Sequence, residues 1–167
     1  MTEPLLAEAL IESLRQRGLK LAVAESLTGG QIASTIVDVP GASDVFLGGV
    51  VAYATDAKTG MLGISTGLLE SRGAVDADVA AEMARGCAER FANSCGVAKE
   101  IVLGVSSTGV AGPASQDGKP AGTVFIAVSL GENIQVAEFH FDGGRAEVRT
   151  QATAEALKLA GWLLSQL

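Results

Sequence analysis

Leu19 to Ala24 is a short apolar run that gives way almost at once to helical spacing. The link is Glu25-Ser26-Leu27-Thr28-Gly29-Gly30, after which Ile32, Ile36 and Val37 recur with helical period. A strand, a glycine-containing turn and a helix start in one short stretch restrict the chain to folds in which helices cover a sheet. Hydrophobic residues make up 48% of the sequence and aromatics only 4%, so the core between those layers is built from Ala, Val, Leu and Ile. The 167 residues fit one domain, 1–167, since domains run to roughly 100–200 residues.

The rest of the chain extends the pattern. Thr2 to Arg17 carries Leu6, Leu10 and Leu14 at i, i+4 with Pro4 in the first turn and Gly18 at the stop, which predicts a helix. Phe46 to Tyr53 reads as a second strand, and Thr55 to Leu62 as a short helix capped by Thr55 or Asp56. Ser65 to Ser71 reads as another short helix. Asp76 is a good N-cap for a long helix in which Val79, Met83, Cys87 and Phe91 recur every four residues among alanines, a stripe suited to close approach to a sheet. Ile101 to Val105 is a third strand, leading into Ser106 to Pro113 and then a polar loop, Ala114 to Lys119. Thr123 to Leu130 and Ile134 to Phe141 form a hairpin, and a helix from Arg145 to Leu164 closes the chain. The expected architecture is a three-layer α/β/α sandwich with a mixed, mostly parallel central sheet.

Several function classes are excluded or disfavoured. With one histidine, no site in this chain can use two, and any Ser–His or Cys–His mechanism rests on His140. His140 alternates with Phe139 and Phe141 and shares its strand face with Glu138, which favours a structural pair. The 12 basic and 19 acidic residues give a net charge of −7, unsuited to binding nucleic acid. Cys87 and Cys95 fall about 12 Å apart on one helix, beyond the roughly 7 Å reach of a disulfide, and read as small buried hydrophobes in a reducing compartment. No secretory signal and no apolar run near the roughly 20 residues of a membrane span is present, which leads us to expect a soluble cytoplasmic protein without membrane contact. No His, Cys and Asp spacing suggests a zinc site, and no cofactor is called for.

In open α/β sheets ligands gather beyond the C-terminal strand ends, and three loops can meet there. Ser26 to Gly30 lies at a helix N-terminus, where free N–H groups favour an anion or an oxyanion; taken alone it reads more simply as a cap and glycine turn. Neither a phosphate loop of the G-x-x-x-x-G-K-[ST] kind nor G-x-G-x-x-G follows a strand. Lys58, shortly after the sole tyrosine, Tyr53, is either a solvated surface residue or, if desolvated, a general base able to activate a serine. Thr108-Gly109-Val110-Ala111-Gly112 is a small-residue loop that cradles a phosphate or carboxamide, or simply turns. Arg145 is a phosphate clamp or a surface helix residue.

Taken in order, Ala24-Glu25-Ser26-Leu27-Thr28-Gly29-Gly30, Pro40-Gly41-Ala42-Ser43, Gly48-Gly49-Val50-Val51-Ala52-Tyr53 with Lys58, Gly73-Ala74-Val75, Thr108-Gly109-Val110-Ala111-Gly112-Pro113, Lys119-Pro120-Ala121-Gly122-Thr123-Val124 and Arg145 with Arg149 resemble the CinA C-terminal domain family over nearly the whole chain. Stand-alone members of that family are nicotinamide mononucleotide deamidases. The resemblance implies an α/β/α fold and a metal-free Ser/Lys amidohydrolase that makes nicotinic acid mononucleotide and ammonia in pyridine nucleotide salvage, acting as a homo-oligomer. It places the catalytic set among Ser26, Ser43, Tyr53 and Lys58, with either serine as nucleophile. Tyr53 is expected to bond to Lys58 or the serine, and Gly29-Gly30 or Gly109 to supply oxyanion donors. The substrate cradle falls on Thr28, Gly29, Gly30, Thr108, Gly109, Ala111, Gly112 and Arg145. Larger relatives carry a further N-terminal domain, which is expected to be absent here. Asp76 stands where Ser often follows Gly-Ala-Val, Ala114-Ser115 replaces the usual continuation after Gly-Pro, and Gly144 replaces a frequent Asp. The alternative reading of the same loops is a nucleotide-binding module without catalysis, and a third is hydrolysis of another amide.

Overall fold

A computed structural model describes residues 2–167. The elements run α1 (Glu3–Arg17), β1 (Lys20–Glu25), α2 (Gln31–Val37), β2 (Phe46–Val51), α3 (Thr55–Leu62), α4 (Thr66–Arg72), α5 (Ala77–Cys95), β3 (Val102–Gly109), β4 (Thr123–Leu130), β5 (Asn133–His140) and α6 (Arg145–Ser165), with 3-10 turns at Ala42–Asp44 and Lys99–Ile101. The sheet order is β2-β1-β3-β4-β5. β1 pairs in parallel with β2 and β3, while β4 opposes both β3 and β5, so four of the five strands share one direction.

Side-chain size on the two faces of β1 sets the layers. Leu21 and Val23 face α1, α2 and α6, where Leu10, Leu14, Ile32, Ile36, Ala156 and Leu163 complete an aliphatic core. Ala22 and Ala24 face the other way, towards α3, α4 and the Val79–Met83–Cys87 stripe of α5. The small face lets α5 lie close: a Cβ on Gly104 of β3 would collide with the Ala84 carbonyl of α5. β1, covered on both sides, is nearly all buried and reads as a continuous apolar run.

The sequence expectations need four local corrections. The third strand runs past its expected end at Val105 and takes in Thr108 and Gly109 of the expected small-residue loop, because antiparallel pairing with β4 continues to Gly109–Val124. The N-cap of α3 is Ala54, and no side chain caps it. Cys87 is buried, and burial pushes its thiol up to about 12, but Cys95 at the end of α5 is exposed. The hairpin turn is Gly131-Glu132. His140 lies on the exposed face of β5, 3.3 Å from Glu138, as the alternation predicts.

Thr123, first residue of β4, is 1% exposed, and its hydroxyl has no hydrogen-bond partner among the described residues. A buried hydroxyl without a partner costs about 1–3 kcal/mol, and valine has nearly the same shape. Thr123→Val is therefore expected to raise stability by about 1 kcal/mol. The urea midpoint checks this, and a lower midpoint would count against the assignment.

Candidate active site

The parallel strands β1, β2 and β3 end together at Glu25, Val51 and Gly109, and the segments that follow them border a pocket of about 300 Å³. That volume suits a small molecule. Ser26, Lys58, Ala74, Thr108, Gly109 and Arg145 are among its lining residues, with Tyr53 at its rim.

At the floor, the Lys58 ammonium donates to Ser26 Oγ at 3.1 Å and to the Ala52 carbonyl at 2.9 Å. Lys58 comes from α3, which turns its side chain inward after β2, so that it is only 1% exposed. No carboxylate pairs with it among the described residues. Burial disfavours the charged form and lowers its pKa to about 8. Roughly a tenth of Lys58 is then neutral at pH 7, able to take a proton from the serine it touches.

Ser26 follows β1 directly, and its N–H donates to the Ser107 carbonyl at 3.0 Å, continuing the ladder by one residue. The turn after it is saturated by the protein itself. The buried Glu25 carboxylate accepts from the N–H groups of Gly30, Ile32 and Ala33 at 2.9, 3.1 and 2.8 Å. Gly29 N–H donates to the Ser26 carbonyl at 3.1 Å. Gly29 and Gly30 are thus neither oxyanion donors nor an anion site, because the Ser26 carbonyl takes up the Gly29 N–H and the Glu25 carboxylate that of Gly30. Thr28 is buried behind the loop, its hydroxyl 2.7 Å from that of Ser107.

Two other N–H groups remain beside Ser26. Leu27 N–H has no protein partner among the described residues. Val110 N–H donates to Thr123 on β4, so strand alternation turns the neighbouring Gly109 N–H towards β1, beyond the last β1–β3 pair at Glu25–Ser107.

The pocket wall is held from three directions. Tyr53 Oη accepts from Arg145 Nη2 at 2.6 Å, and Arg145 Nη1 donates to the Gly112 carbonyl at 3.2 Å. Tyr53 therefore orients Arg145, and its hydroxyl bonds to neither Lys58 nor Ser26. Thr108 lines the pocket, but its hydroxyl is engaged by the Ala74 carbonyl at 2.7 Å. Asp117, at φ 49° in the loop after β3, accepts from Ala74 N–H at 3.0 Å and ties that loop down. Ala111 and Gly112 also line the pocket.

Ser43 is not brought to this site. It is exposed in the 3-10 turn before β2, at the opposite end of the sheet, beside a shallow groove with Val37, Pro40 and Phe46. Conversely, Glu25, Ala74, Asp117 and Arg149 shape the site but were given no role from sequence. Arg149 had a signal, since it lies one turn after Arg145 on the same helix face.

Among the described residues no group of three or more His, Cys, Asp or Glu side chains is placed to hold a metal ion. No helix among them is long and apolar enough to cross a membrane.

Fold and pocket together define an α/β protein with a buried serine–lysine pair at the ends of its parallel strands. The profile of the family described as CinA C-terminal domain matches residues 4–164, and the chain belongs to that family. It is 44% identical over 160 residues to a CinA-like protein of Geobacter sulfurreducens, an alignment covering 95% of this chain and 36% of that protein. The chain thus spans about a third of the length of the curated relatives it matches. Among solved structures, a competence-damaged protein (CinA) superfamily protein of Klebsiella pneumoniae superposes with a TM-score of 0.90 at 27% identity, covering 100% of both chains. The competence/damage inducible protein CihA of Agrobacterium tumefaciens gives 0.87 at 34% identity, covering 98% of this chain and 96% of its own.

Proposed function

We propose that the chain is an amidohydrolase that converts nicotinamide mononucleotide and water to nicotinic acid mononucleotide and ammonia. The observation that carries this reading is the contact between Ser26 Oγ and a buried lysine with lowered pKa. Neutral Lys58 takes the Ser26 proton as Oγ attacks the carboxamide carbon. The carbonyl oxygen gains negative charge, and Leu27 and Gly109 N–H are the donors placed beside the nucleophile to receive it. Lys58 returns the proton to the amide nitrogen, the C–N bond breaks, and ammonia leaves an acyl-Ser26 ester. Water, deprotonated by Lys58, hydrolyses that ester and regenerates the serine. Arg145, already oriented by Tyr53 and Gly112, is the cation available at the rim for the 5′-phosphate. The reading carries with it a place in pyridine nucleotide salvage, a cytoplasmic setting and a homo-oligomer, and calls for no metal.

Ammonia release from nicotinamide mononucleotide by purified protein tests it, with free nicotinamide and glutamine as parallel substrates. Release from the mononucleotide alone is expected. Binding without release would indicate a nucleotide-binding module, and release from another amide a different substrate. Because Lys58 must be neutral to act, kcat/KM is expected to rise with pH through about 8 and level off above it. A profile flat between pH 6 and 9 would remove Lys58 as the base.

A further inference from the structure

Arg149 is half-buried on α6, and it has no carboxylate partner among the described residues. Its guanidinium instead donates to two consecutive carbonyls of the nucleophile loop, from Nε to Leu27 at 3.0 Å and from Nη2 to Thr28 at 2.8 Å. Gly29 turns the loop at φ +60°, a conformation that side chains rarely adopt, and a Cβ there would make only ordinary contact with Arg149 Nη2, at 3.5 Å.

In a trans peptide the carbonyl of one residue and the N–H of the next point in opposite directions. Holding the Thr28 carbonyl therefore aims Gly29 N–H the other way, where it donates to the Ser26 carbonyl at 3.1 Å. Fixing the Ser26 carbonyl in turn aims Leu27 N–H away from the turn, beside Ser26 Oγ. The chain of constraints starts at Arg149 and ends on a backbone donor at the reacting centre. One turn earlier on α6, Arg145 holds Tyr53 and Gly112 on the opposite wall.

We infer that Arg149 is a positioning residue, which sets the Leu27 N–H as an oxyanion donor by clamping the Leu27 and Thr28 carbonyls. This rests on the Ser26 reading above, but not on the identity of the amide. Lysine keeps the charge but cannot supply two donors in a fixed planar fork, so it cannot replace arginine here.

The test compares wild type, Arg149→Lys and Arg149→Ala for ammonia release from nicotinamide mononucleotide and for the rate at which a small alkyl fluorophosphonate phosphonylates Ser26. Both variants are expected to lose about 10²-fold in kcat and in labelling rate, the scale of one oxyanion donor. KM and the pH midpoint set by Lys58 stay near wild type, and millimolar guanidinium partly restores Arg149→Ala. Wild-type kcat in Arg149→Lys, or a loss confined to KM, overturns the proposal. So does failure of both variants to fold, which would make Arg149 a structural clamp alone. If wild type is labelled at Ser26 but releases no ammonia from the mononucleotide, the substrate reading fails and the labelling rates still decide Arg149. If wild type is neither labelled nor active, both fall.

Discussion

Lys58→Met is expected to lower ammonia release by at least about 10³-fold while leaving the protein folded. The size follows from its double duty, since one amine both activates Ser26 and protonates the departing nitrogen. Folding survives because methionine fills the same buried volume without a charge to desolvate. The pKa gap between about 8 in the folded chain and 10.5 in the ordinary lysine is a stability statement. Between those values the unfolded chain binds more protons than the folded one, so wild-type stability rises with pH across the window, by about 3 kcal/mol in all. Below pH 8 that penalty is carried in full. Lys58→Met carries none of it, although it leaves the Ala52 carbonyl without its 2.9 Å partner, a loss of about 1–2 kcal/mol. At pH 7 the variant should thus be at least as stable as wild type, and the difference between the two should shrink and reverse towards pH 10. Urea midpoints across pH 6–10 read this directly. A near-normal turnover in Lys58→Met would remove it from the mechanism. Loss of activity with a midpoint far below wild type at pH 7 would mean that its role is structural.

What made this fold legible was periodicity. The β1 run with its glycine turn, the four-residue stripe of α5 and the alternation around His140 each depend on near neighbours, and each appears where the spacing places it. What escaped was decided by partners far along the chain. Ser106, Ser107 and Thr108 lie beyond the apolar run and look too polar to extend it. They are strand because the carbonyls of Ala80 and Ala74 and the hydroxyl of Thr28 satisfy their hydroxyls inside the core. Glu25 looks like the first polar residue after a strand, yet three N–H groups of α2 close on its carboxylate. These contacts take up the Gly30 N–H while the Ser26 carbonyl takes up that of Gly29, which shifts attention to Leu27 and Gly109. Lys58 carries no mark of burial in its own helix, where its neighbours are Ala57 and Thr59. Its depth comes from how α3 folds back over the end of β2. The pairing of Tyr53 with Arg145 joins residues 92 positions apart and was likewise invisible to local spacing.

The two serines that the sequence left open should now separate cleanly. Ser26→Ala is expected to reduce turnover by at least about 10³-fold, the scale of losing a nucleophile whose partners remain, while Ser43→Ala keeps turnover within about twofold. The six residues of β2 lie between them along the sheet axis, and at about 3.3 Å per residue that places Ser43 close to 20 Å from the pocket. No rotamer of a serine spans that distance. Ser26→Ala should fold normally, because the bonds that hold this position are made by its backbone, the N–H to Ser107 and the carbonyl from Gly29. It should also still bind nicotinamide mononucleotide, since Arg145 and the loop after β3 are untouched. Calorimetric binding to Ser26→Ala together with absent ammonia release would therefore isolate the covalent step. Inactive Ser43→Ala beside active Ser26→Ala would move the nucleophile to the far end of the sheet, and then a second copy of the chain would have to bring it to Lys58. Full turnover in both variants would leave a lysine-activated water as the attacking group, in place of serine.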